Sequence, residues 1–364
     1  MAASAPTPTV LLTGATGLVG AATLFQLMHE SNHTVIAVLR SRAKSEAFLA
    51  TKYAPQISAG RLTFLEVPDM TRPGVFDSPA AQSDAIIHIA TPLAYDDVIE
   101  KVVKPSWTIV HNVLLAADKS ERTKRVIITG SIVSTFRLPN DLFSGKTVSA
   151  ESWNDIPYEE AGLNPANAYQ YSKTHSEQQA WKFMSEKNRS FDLIYLLAPA
   201  ITGKSIHQGF VPSKEGLGGQ AGIYRDLFDK EKPGFLFPYF MQVSRSPPSH
   251  EIFLADECGI RDVEDVAKVH VMSLAPSVPG NERYLFHSPE LMTGNDMARA
   301  VREDFPQLRS RVPAPDDEAG DAVPSNLVKT DISKAEKVFG MDWKSARQTT
   351  RETVADIIAF ENRK

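Results

Sequence analysis

The sequence lacks three features that would each indicate a specific class of protein. Cys258 is its single cysteine, so an internal disulfide is excluded and a reducing compartment is favoured. No apolar run in the 364 residues reaches the length of a membrane span. The charges are scattered and the formal net charge is −5, whereas a nucleic-acid surface would require a concentrated basic face. These absences predict a cytoplasmic protein that binds neither membrane nor nucleic acid.

The sequence is also poor in signals for metal binding and for secretion. Its nine histidines and its carboxylates show no metal-ligand spacing, so no metal site is predicted. The first residues contain no basic stretch of a signal peptide, and we expect 1–8 to form a flexible tail. Cys258 has no charged partner that the sequence identifies, so we expect it to be buried and inert.

What the sequence does contain is an alternation of short apolar runs with helix-length amphipathic segments. The runs are rich in Val, Ile and Leu without strict alternation, which is typical of strands buried on both faces of a parallel sheet. Segments of helical length fall at 18–31, 94–118 and 168–187. This order predicts an α/β fold with a doubly wound, mostly parallel Rossmann sheet. The runs are TVLLTG (9–14), HTVIAVLR (33–40), LTFLEV (62–67), AIIHIA (85–90), RVIITG (125–130) and DLIYLLAP (192–199).

Beyond the sixth apolar run the alternation ends. Gly, Pro and aromatic residues are frequent across 205–255, which is either a lid over a bulky apolar or aromatic substrate or a disordered insertion. We expect 9–200 to form the cofactor-binding domain, with 255–288 returning to it. A smaller C-terminal substrate-binding lobe is then expected to consist of 201–254 and 289–364.

The C-terminal part still contains helix and strand signals. These are a helix over RDVEDVAKVHVMSL (261–274), a strand over ERYLFHS (282–288), a helix capped by Thr293, an exposed loop at 311–326, a helix framed by Thr330 or Asp331 and by Gly340, and a final helix over 345–361.

The first strand is followed by a phosphate-binding signal. TGATGLVG places Gly14, Gly17 and Gly20 between this strand and the next helix. Glycines allow a tight turn and a close approach of the backbone to a pyrophosphate, which then faces the helix N-terminus. The alternative is a glycine turn used only for packing. The spacing is GxxGxxG, which differs from the GxGxxG of most dinucleotide folds.

The end of the second strand indicates which cofactor is bound. Arg40 ends this strand and Lys44 lies a helical turn further on, with Arg42 as a possible substitute for either. No carboxylate precedes Glu46, so the residue that usually binds the ribose 2′-hydroxyl of NAD is missing. Arginine suits the 2′-phosphate of NADP instead. The alternative is a solvated basic turn without a ligand.

Residues 168–177, AYQYSKTHSE, contain a candidate catalytic pair. On a helix, Tyr169 lies on the same face as Lys173, whereas Tyr171 does not. A phenol has an unperturbed pKa of about 10, and a neighbouring ammonium lowers it. Tyr169 is therefore a candidate general acid for a carbonyl oxygen. The alternative is a chance pairing on a surface helix.

A serine completes the candidate catalytic group. Ser131 follows the fifth strand, at the carboxyl edge of the sheet where α/β proteins bind their ligands. Its hydroxyl can donate to a substrate carbonyl and hold it for protonation. Ser134 is a weaker rival, and capping of the local backbone is the alternative role for either serine.

With these motifs in place, the chain resembles the extended short-chain dehydrogenases/reductases, and among them the family of dihydroflavonol reductases, cinnamoyl-CoA reductases and yeast methylglyoxal/carbonyl reductases. The resemblance covers most of residues 9–275. It rests on TGATGLVG, Arg40, PDM (68–70), AIIHIATPL (85–93), RVIITGSIVS, AYQYSKTHSEQQAW, LLAPAITGK (196–204) and RDVEDVAKVHV (261–271).

The resemblance implies a Ser131–Tyr169–Lys173 triad and an NADP(H) site. Asn112 lies on the helix where some members of the family hold a water for proton relay. Two departures are Gly130, where the family often has serine, and the alanines that flank Pro199. The cofactor-binding residues expected are Gly14, Thr16, Gly17, Leu18, Val19, Gly20, Arg40, Lys44, Asp69, Met70, Ala90, Thr91, Pro92, Thr129, Tyr169, Lys173, Pro199, Ala200 and Thr202.

Other polar residues are predicted to be structural. His88 is expected in the core or the cofactor wall, and His270 on a helix. Asp262 and Asp265 are expected to fix loops and helix ends.

The function expected is the NADPH-dependent reduction of a ketone or aldehyde, on a bulky apolar or aromatic substrate, by a monomer or a homodimer. A sugar-nucleotide epimerase or dehydratase is the alternative enzyme, but the residues after Ser131, IVSTF, lack the acidic group that dehydratases commonly add. A non-catalytic NADP-sensing regulator is disfavoured because the chain keeps both Tyr169 and Lys173.

Overall fold

The computed structural model describes residues 7–206, 223–224, 260–287, 294–312, 314–315 and 326–363. Several predictions concern residues outside these ranges. The residues concerned are most of the tail at 1–8, most of the segment 205–255, Cys258, Thr293 and most of the loop at 311–326.

A seven-stranded parallel sheet forms the centre of the molecule, with the strand order β10-β7-β5-β4-β1-β2-β3. This confirms the predicted doubly wound Rossmann sheet. Two small parallel pairs, β6 with β11 and β8 with β9, lie outside it. The strands are β1 (Thr9–Thr13), β2 (Thr34–Leu39), β3 (Leu62–Glu66), β4 (Ala85–His88), β5 (Arg125–Thr129), β6 (Thr147–Val148), β7 (Asp192–Leu197), β8 (Ala200–Thr202), β9 (Ile260–Asp262), β10 (Glu282–Leu285) and β11 (Lys329–Thr330).

Helices cover both faces of the sheet. They are α1 (Leu18–His29), α2 (Arg42–Lys52), α3 (Ala54–Ser58), α4 (Asp77–Ala81), α5 (Lys104–Lys119), α6 (Tyr158–Ala161), α7 (Pro165–Ser185), α8 (Val263–Met272), α9 (Gly294–Asp304), α10 (Ser333–Phe339) and α11 (Ala346–Glu361). A π-helical turn, Ile99–Val103, precedes α5, and two 3₁₀ turns lie at Ile132–Ser134 and Pro306–Leu308. Among the described helices, none has both the length and the apolar composition needed to span a bilayer.

The strands are apolar on both sides because each side packs against helices. Leu11 and Val126 face a cluster that includes Val113 of α5 and Phe183 of α7. Their neighbours Val10, Leu12 and Ile127 face the opposite cluster, with Leu24 and Leu27 of α1 and Val266 and Val269 of α8.

The strand order determines where a ligand can bind. The order reverses between β1 and β4, which pair from Val10 with Ala85 to Thr13 with His88. In doubly wound sheets the binding crevice lies outside the carboxyl ends of the strands at this reversal. The residues that follow β1 and β4 therefore line the crevice.

The helix over 94–118 begins later than predicted. Its first regular turn is the π-helical one at Ile99, and Asp97, just before it, has a φ of +47°. Helix α10 begins at Ser333 after the N-cap Ile332, later than the predicted start at Thr330 or Asp331, whereas its predicted end and the predicted final helix agree with the structure. Gly340 ends α10 in the left-handed conformation, and the Ser345 hydroxyl accepts the N–H of Gln348 at the start of α11.

Candidate active site

The turn between β1 and α1 is built from two glycines that packing requires. Gly14 has a φ of +77°, and a Cβ there would lie 2.9 Å from the amide nitrogen of Ala90. A Cβ on Gly20 would lie 1.9 Å from the carbonyl oxygen of Gly14. Side chains at these positions would force the turn away from β4 and α1 away from β1.

Gly17 has a different environment, because the protein itself leaves room for a side chain there. A Cβ on Gly17 would meet only the Gly14 carbonyl oxygen, at 3.5 Å. Gly17 is the exposed N-cap of α1, and as a glycine it has no side chain with which to cap the helix. The first turn of α1 contains no acidic residue either. The first-turn N–H groups of Leu18, Val19 and Gly20 lack intrahelical partners, and such a terminus suits an anion such as a pyrophosphate.

The basic residues after β2 differ in whether their side chains form hydrogen bonds or ion pairs with the described part of the protein. Arg40 and Lys44 are exposed, and among the described residues neither side chain has a hydrogen-bond or ion-pair partner. Arg42 is held by the carboxylate of Glu46, to which it donates from two nitrogens. Arg42 is therefore engaged, whereas Arg40 and Lys44 present cations that fit a 2′-phosphate.

The loop after β3 carries Asp69 and Met70. The Asp69 carboxylate is exposed and accepts hydrogen bonds from the amide of Thr71 at 2.8 Å and from the Thr71 hydroxyl at 2.6 Å. These hydrogen bonds lower the pKa of Asp69. The amide nitrogen of Asn112 donates to the carbonyl oxygens of Met70 at 3.0 Å and Arg72 at 3.2 Å. These two hydrogen bonds connect the loop to α5 and direct the side-chain amide nitrogen of Asn112 towards the loop.

The Tyr169–Lys173 pair has the predicted geometry. Asn164 caps α7 and Pro165 occupies its first turn, which fixes the helix register. Lys173 Nζ lies 5.8 Å from the centroid of the Tyr169 ring. The ring of Tyr171 instead stacks on His175, with centroids 5.1 Å apart, and meets Tyr158 edge-on.

Lys173 is held at the ends of β4 and β5. Its ammonium donates to Thr91 Oγ1 at 3.0 Å and to the Thr129 carbonyl oxygen at 2.9 Å. Burial lowers the pKa of Lys173 to about 8, against the opposing effect of Glu177. An ammonium at this position, with neutral hydrogen-bond partners, stabilises a negative charge on a nearby phenol.

Ser131 lies two residues beyond the carbonyl that binds Lys173. Its hydroxyl accepts the amide of Val133 at 3.4 Å and caps the 3₁₀ turn. The N–H of Ile132 donates to the Ala198 carbonyl oxygen at 2.9 Å, which holds this segment against β7. Both serines are buried, but Ser131 is 5% exposed and Ser134 is completely buried, so Ser134 is the poorer candidate for contact with a substrate.

Two buried histidines support the strand ends. Thr13 Oγ1 accepts the amides of Ile89 and Ala90, so its own proton faces His88 Nδ1 at 2.8 Å. Burial and the nearby charge of Lys173 lower the pKa of His88 to about 3. His270 Nδ1 lies 2.7 Å from the Val266 carbonyl oxygen, so it carries the proton and Nε2 accepts the hydroxyl of Thr129. Both histidines are neutral structural groups, in agreement with the prediction.

A small cavity of about 30 Å³ is lined by Lys173, by the residues that follow β4 and by residues of β5, α5 and α7. Its lining includes His88, Ser176 and Tyr195. The hydroxyls of Ser176 and Tyr195 are buried and have no hydrogen-bond partner among the described residues. A cavity of this size holds about one water, which would satisfy such groups.

The segment after β7 is engaged with the C-terminal helix. Ala200 and Thr202 belong to β8, which pairs with β9. The buried hydroxyl of Thr202 lies 3.0 Å from that of Thr353 in α11. Asp262 caps α8 and Asp265 accepts the amide of Lys344, as predicted for these two carboxylates.

Sequence reasoning missed a buried ion pair next to the candidate triad. Glu177 of α7 is completely buried and accepts Arg283 Nε at 2.7 Å from β10. The available signal was the spacing, because Glu177 follows Lys173 by one helical turn. Its partner is distant in sequence and was not predictable.

Comparison with known proteins agrees with this architecture. A model of the NAD dependent epimerase/dehydratase family matches residues 10–214, more than half of the chain. The chain is 26% identical to the NADPH-dependent methylglyoxal reductase of Saccharomyces cerevisiae, over 97% of this chain and 99% of that protein. It is 29% identical to a ketoreductase of Cercospora nicotianae, over 91% of this chain and 89% of that one.

The crystal structure of Gre2 from Candida albicans is similar to the present structure. The TM-score is 0.81 at 25% identity, and the alignment covers 98% of this chain and 100% of that one. With a family match over more than half of its length, the parallel sheet order and the glycine turn, the chain belongs to the NAD dependent epimerase/dehydratase family, the extended short-chain dehydrogenases/reductases.

Proposed function

We propose that this protein is an NADPH-dependent carbonyl reductase in which Ser131, Tyr169 and Lys173 act together on the substrate carbonyl. The observation that carries the proposal is the position of the Lys173 ammonium. It lies beside the ring of Tyr169 and is bound to Thr91 and to the carbonyl of Thr129. A cation beside a phenol favours the phenolate, and doubly wound folds bind nucleotides at the carboxyl ends of their strands, so this position supports the proposal.

The residues at the strand ends fit NADP(H). The N-terminus of α1 would hold the pyrophosphate, and Arg40 with Lys44 the 2′-phosphate. Asp69 and Met70 would meet the adenine on a loop fixed by Asn112. The remaining cofactor contacts that we propose are Thr16, Ala90, Thr91, Pro92, Thr129, Pro199, Ala200 and Thr202, together with Tyr169 and Lys173.

The proposed chemistry divides between cofactor and protein. NADPH supplies a hydride when bound. The Ser131 hydroxyl donates a hydrogen bond to the carbonyl oxygen and orients it. The Tyr169 hydroxyl transfers its proton to that oxygen, and Lys173 stabilises the phenolate that remains. The named relatives reduce methylglyoxal or ketones, which supports a carbonyl as the reacting group.

We further propose the domain division expected from the sequence. Residues 9–200 and 255–288 would bind the cofactor, and 201–254 with 289–364 would bind a bulky apolar or aromatic substrate. Leu93 and Tyr95 follow β4 and are 52% and 48% exposed, so large apolar side chains lie near the crevice. Such side chains favour apolar substrates.

The test is NADPH oxidation over a panel of ketones, aldehydes and 1,2-dicarbonyls, with the Tyr169→Phe variant as the blank. Turnover of at least one compound by the wild type and loss of that turnover in the variant are expected. Equal rates for the two proteins would refute the proposed acid.

A sugar-nucleotide epimerase is the second candidate, because the family description includes epimerases. It would retain its cofactor through purification and turn over without added NADPH. A protein that is purified free of nucleotide and consumes NADPH stoichiometrically would exclude this candidate.

A further inference from the structure

The ion pair between Glu177 and Arg283 connects the helix of the proposed catalytic pair to two other elements. Tyr169, Lys173 and Glu177 succeed one another at single-turn intervals along α7. Glu177 is completely buried, and its carboxylate accepts Arg283 Nε at 2.7 Å and Nη2 at 3.4 Å. Trp181, a further turn along α7, donates its indole N–H to the same carboxylate at 3.4 Å.

Arg283 also holds the loop between β6 and α6. Its guanidinium donates to the carbonyl oxygens of Ala150 and Ser152, and it stacks 3.7 Å above the ring of Trp153. The next residue, Asn154, donates to the Val133 carbonyl oxygen at 2.8 Å. This loop therefore supports the 3₁₀ turn that begins at Ser131.

Glu177 is the charged group on α7 that can offset the positive charge of Lys173. The direct partners of the ammonium are the neutral Thr91 hydroxyl and Thr129 carbonyl. The titratable groups that face it from other elements are His88 of β4, which is neutral, and Tyr195 of β7, whose pKa is raised by burial. The further charged group in this region is Arg283 of β10, bound to Glu177.

We propose that the Glu177–Arg283 pair is a positioning element of the active site, in which Glu177 keeps Lys173 protonated and Arg283 fixes Glu177 to the loop that supports Ser131. Burial disfavours the charge of Lys173, and the Glu177 carboxylate opposes that effect. Arg283 in turn opposes the burial that would protonate Glu177. The inference rests on the proposed role of the triad.

The test uses Glu177→Gln, which removes the charge and keeps the shape of the side chain. In cofactor-free protein, trace labelling with acetic anhydride at a series of pH values, followed by mass spectrometry of the Lys173 peptide, gives the midpoint at which the amine becomes reactive. We expect this midpoint to fall by roughly one pH unit. The alkaline limb of kcat/KM should move in the same direction.

The ion pair of Arg125 with Asp192 provides a matched control. It joins the amino ends of β5 and β7, opposite the carboxyl ends where Lys173 is bound. Arg125 likewise donates to carbonyl oxygens, those of Ser273, Ala275 and Val278. Asp192→Asn should lower the melting temperature without moving the Lys173 midpoint.

An unchanged labelling midpoint in Glu177→Gln, or an equal shift in Asp192→Asn, would overturn the proposal. Should the single variant fail to fold, the double variant Glu177→Gln/Arg283→Met removes both buried charges and is expected to show the same fall. The outcome is separable from that of the proposed function, because labelling requires no turnover and Tyr169→Phe tests the triad directly.

Discussion

The Lys173 ammonium lies 5.8 Å from the centre of the Tyr169 ring, one turn away on the same face of α7, while Tyr171 stacks on His175. The two tyrosines are separated by one residue, yet one shares its environment with a partly buried cation and the other with a histidine and a second tyrosine. This difference makes them a matched pair for mutation.

Tyr169→Phe should lower kcat by a factor of about 10² to 10⁴, the range typical of a lost general acid. Tyr171→Phe should change kcat only slightly, because that hydroxyl lies 3.4 Å from His175 on the other side of the helix. Steady-state rates and nucleotide affinity measured on both variants give the comparison. Similar losses of kcat in the two variants would contradict the assignment.

Arg40→Ala should raise the KM for NADPH by about tenfold or more and leave the KM for NADH nearly unchanged, since only NADPH carries the 2′-phosphate. Arg42→Ala is the control, because Arg42 is already bound by Glu46. Initial rates with both cofactors measure the effect. Equal increases in KM for the two cofactors would show that Arg40 does not bind the 2′-phosphate.

Gly17→Ala and Gly20→Ala should separate ligand binding from packing. The first substitution has space in the protein, so the melting temperature should hold while NADPH affinity falls. The second would place its Cβ 1.9 Å from the Gly14 carbonyl oxygen and should destabilise the fold by about 1–3 kcal/mol. Thermal unfolding without cofactor and nucleotide titration measure the two effects. Destabilisation by Gly17→Ala in cofactor-free protein would refute the ligand explanation for that glycine.

Reductase activity should fall as the pH rises through about 8, where Lys173 loses its charge. The stability of the cofactor-free protein should respond in the opposite direction. The pKa of Lys173 in the folded protein lies below the value of about 10.4 expected in the unfolded chain. Between these two pKa values the unfolded chain binds more protons than the folded protein. Lys173 therefore increases the free energy of unfolding as the pH rises through this interval.

Lys173→Met provides the reference for that measurement. Urea unfolding of both proteins at about pH 7.5 and 9.5 should show the wild type gaining stability relative to the variant at the higher pH. A relative loss on the alkaline side would contradict the lowered pKa of Lys173.

A crystal structure should show ordered water in the cavity lined by Lys173, about 3 Å from the hydroxyl of Ser176 or Tyr195. Tyr195→Phe, which removes one of those hydroxyls, should displace that water while preserving the fold. A dry cavity at a resolution where other buried waters are visible would contradict this prediction.

The sequence by itself determined the sheet, the glycine turn and the pairing of Tyr169 with Lys173. These depend on local periodicity: apolar runs form strands, and side chains four residues apart share a helix face. The same reasoning identified Arg40 by its position at the end of a strand.

Only the tertiary structure decided which polar groups are engaged. It turns the Asn112 amide towards Met70, 42 residues away in sequence, and brings Arg283 to Glu177 across 106 residues. Side-chain hydrogen bonds form between atoms within about 3 Å of each other, and that proximity is created by packing rather than by spacing along the chain.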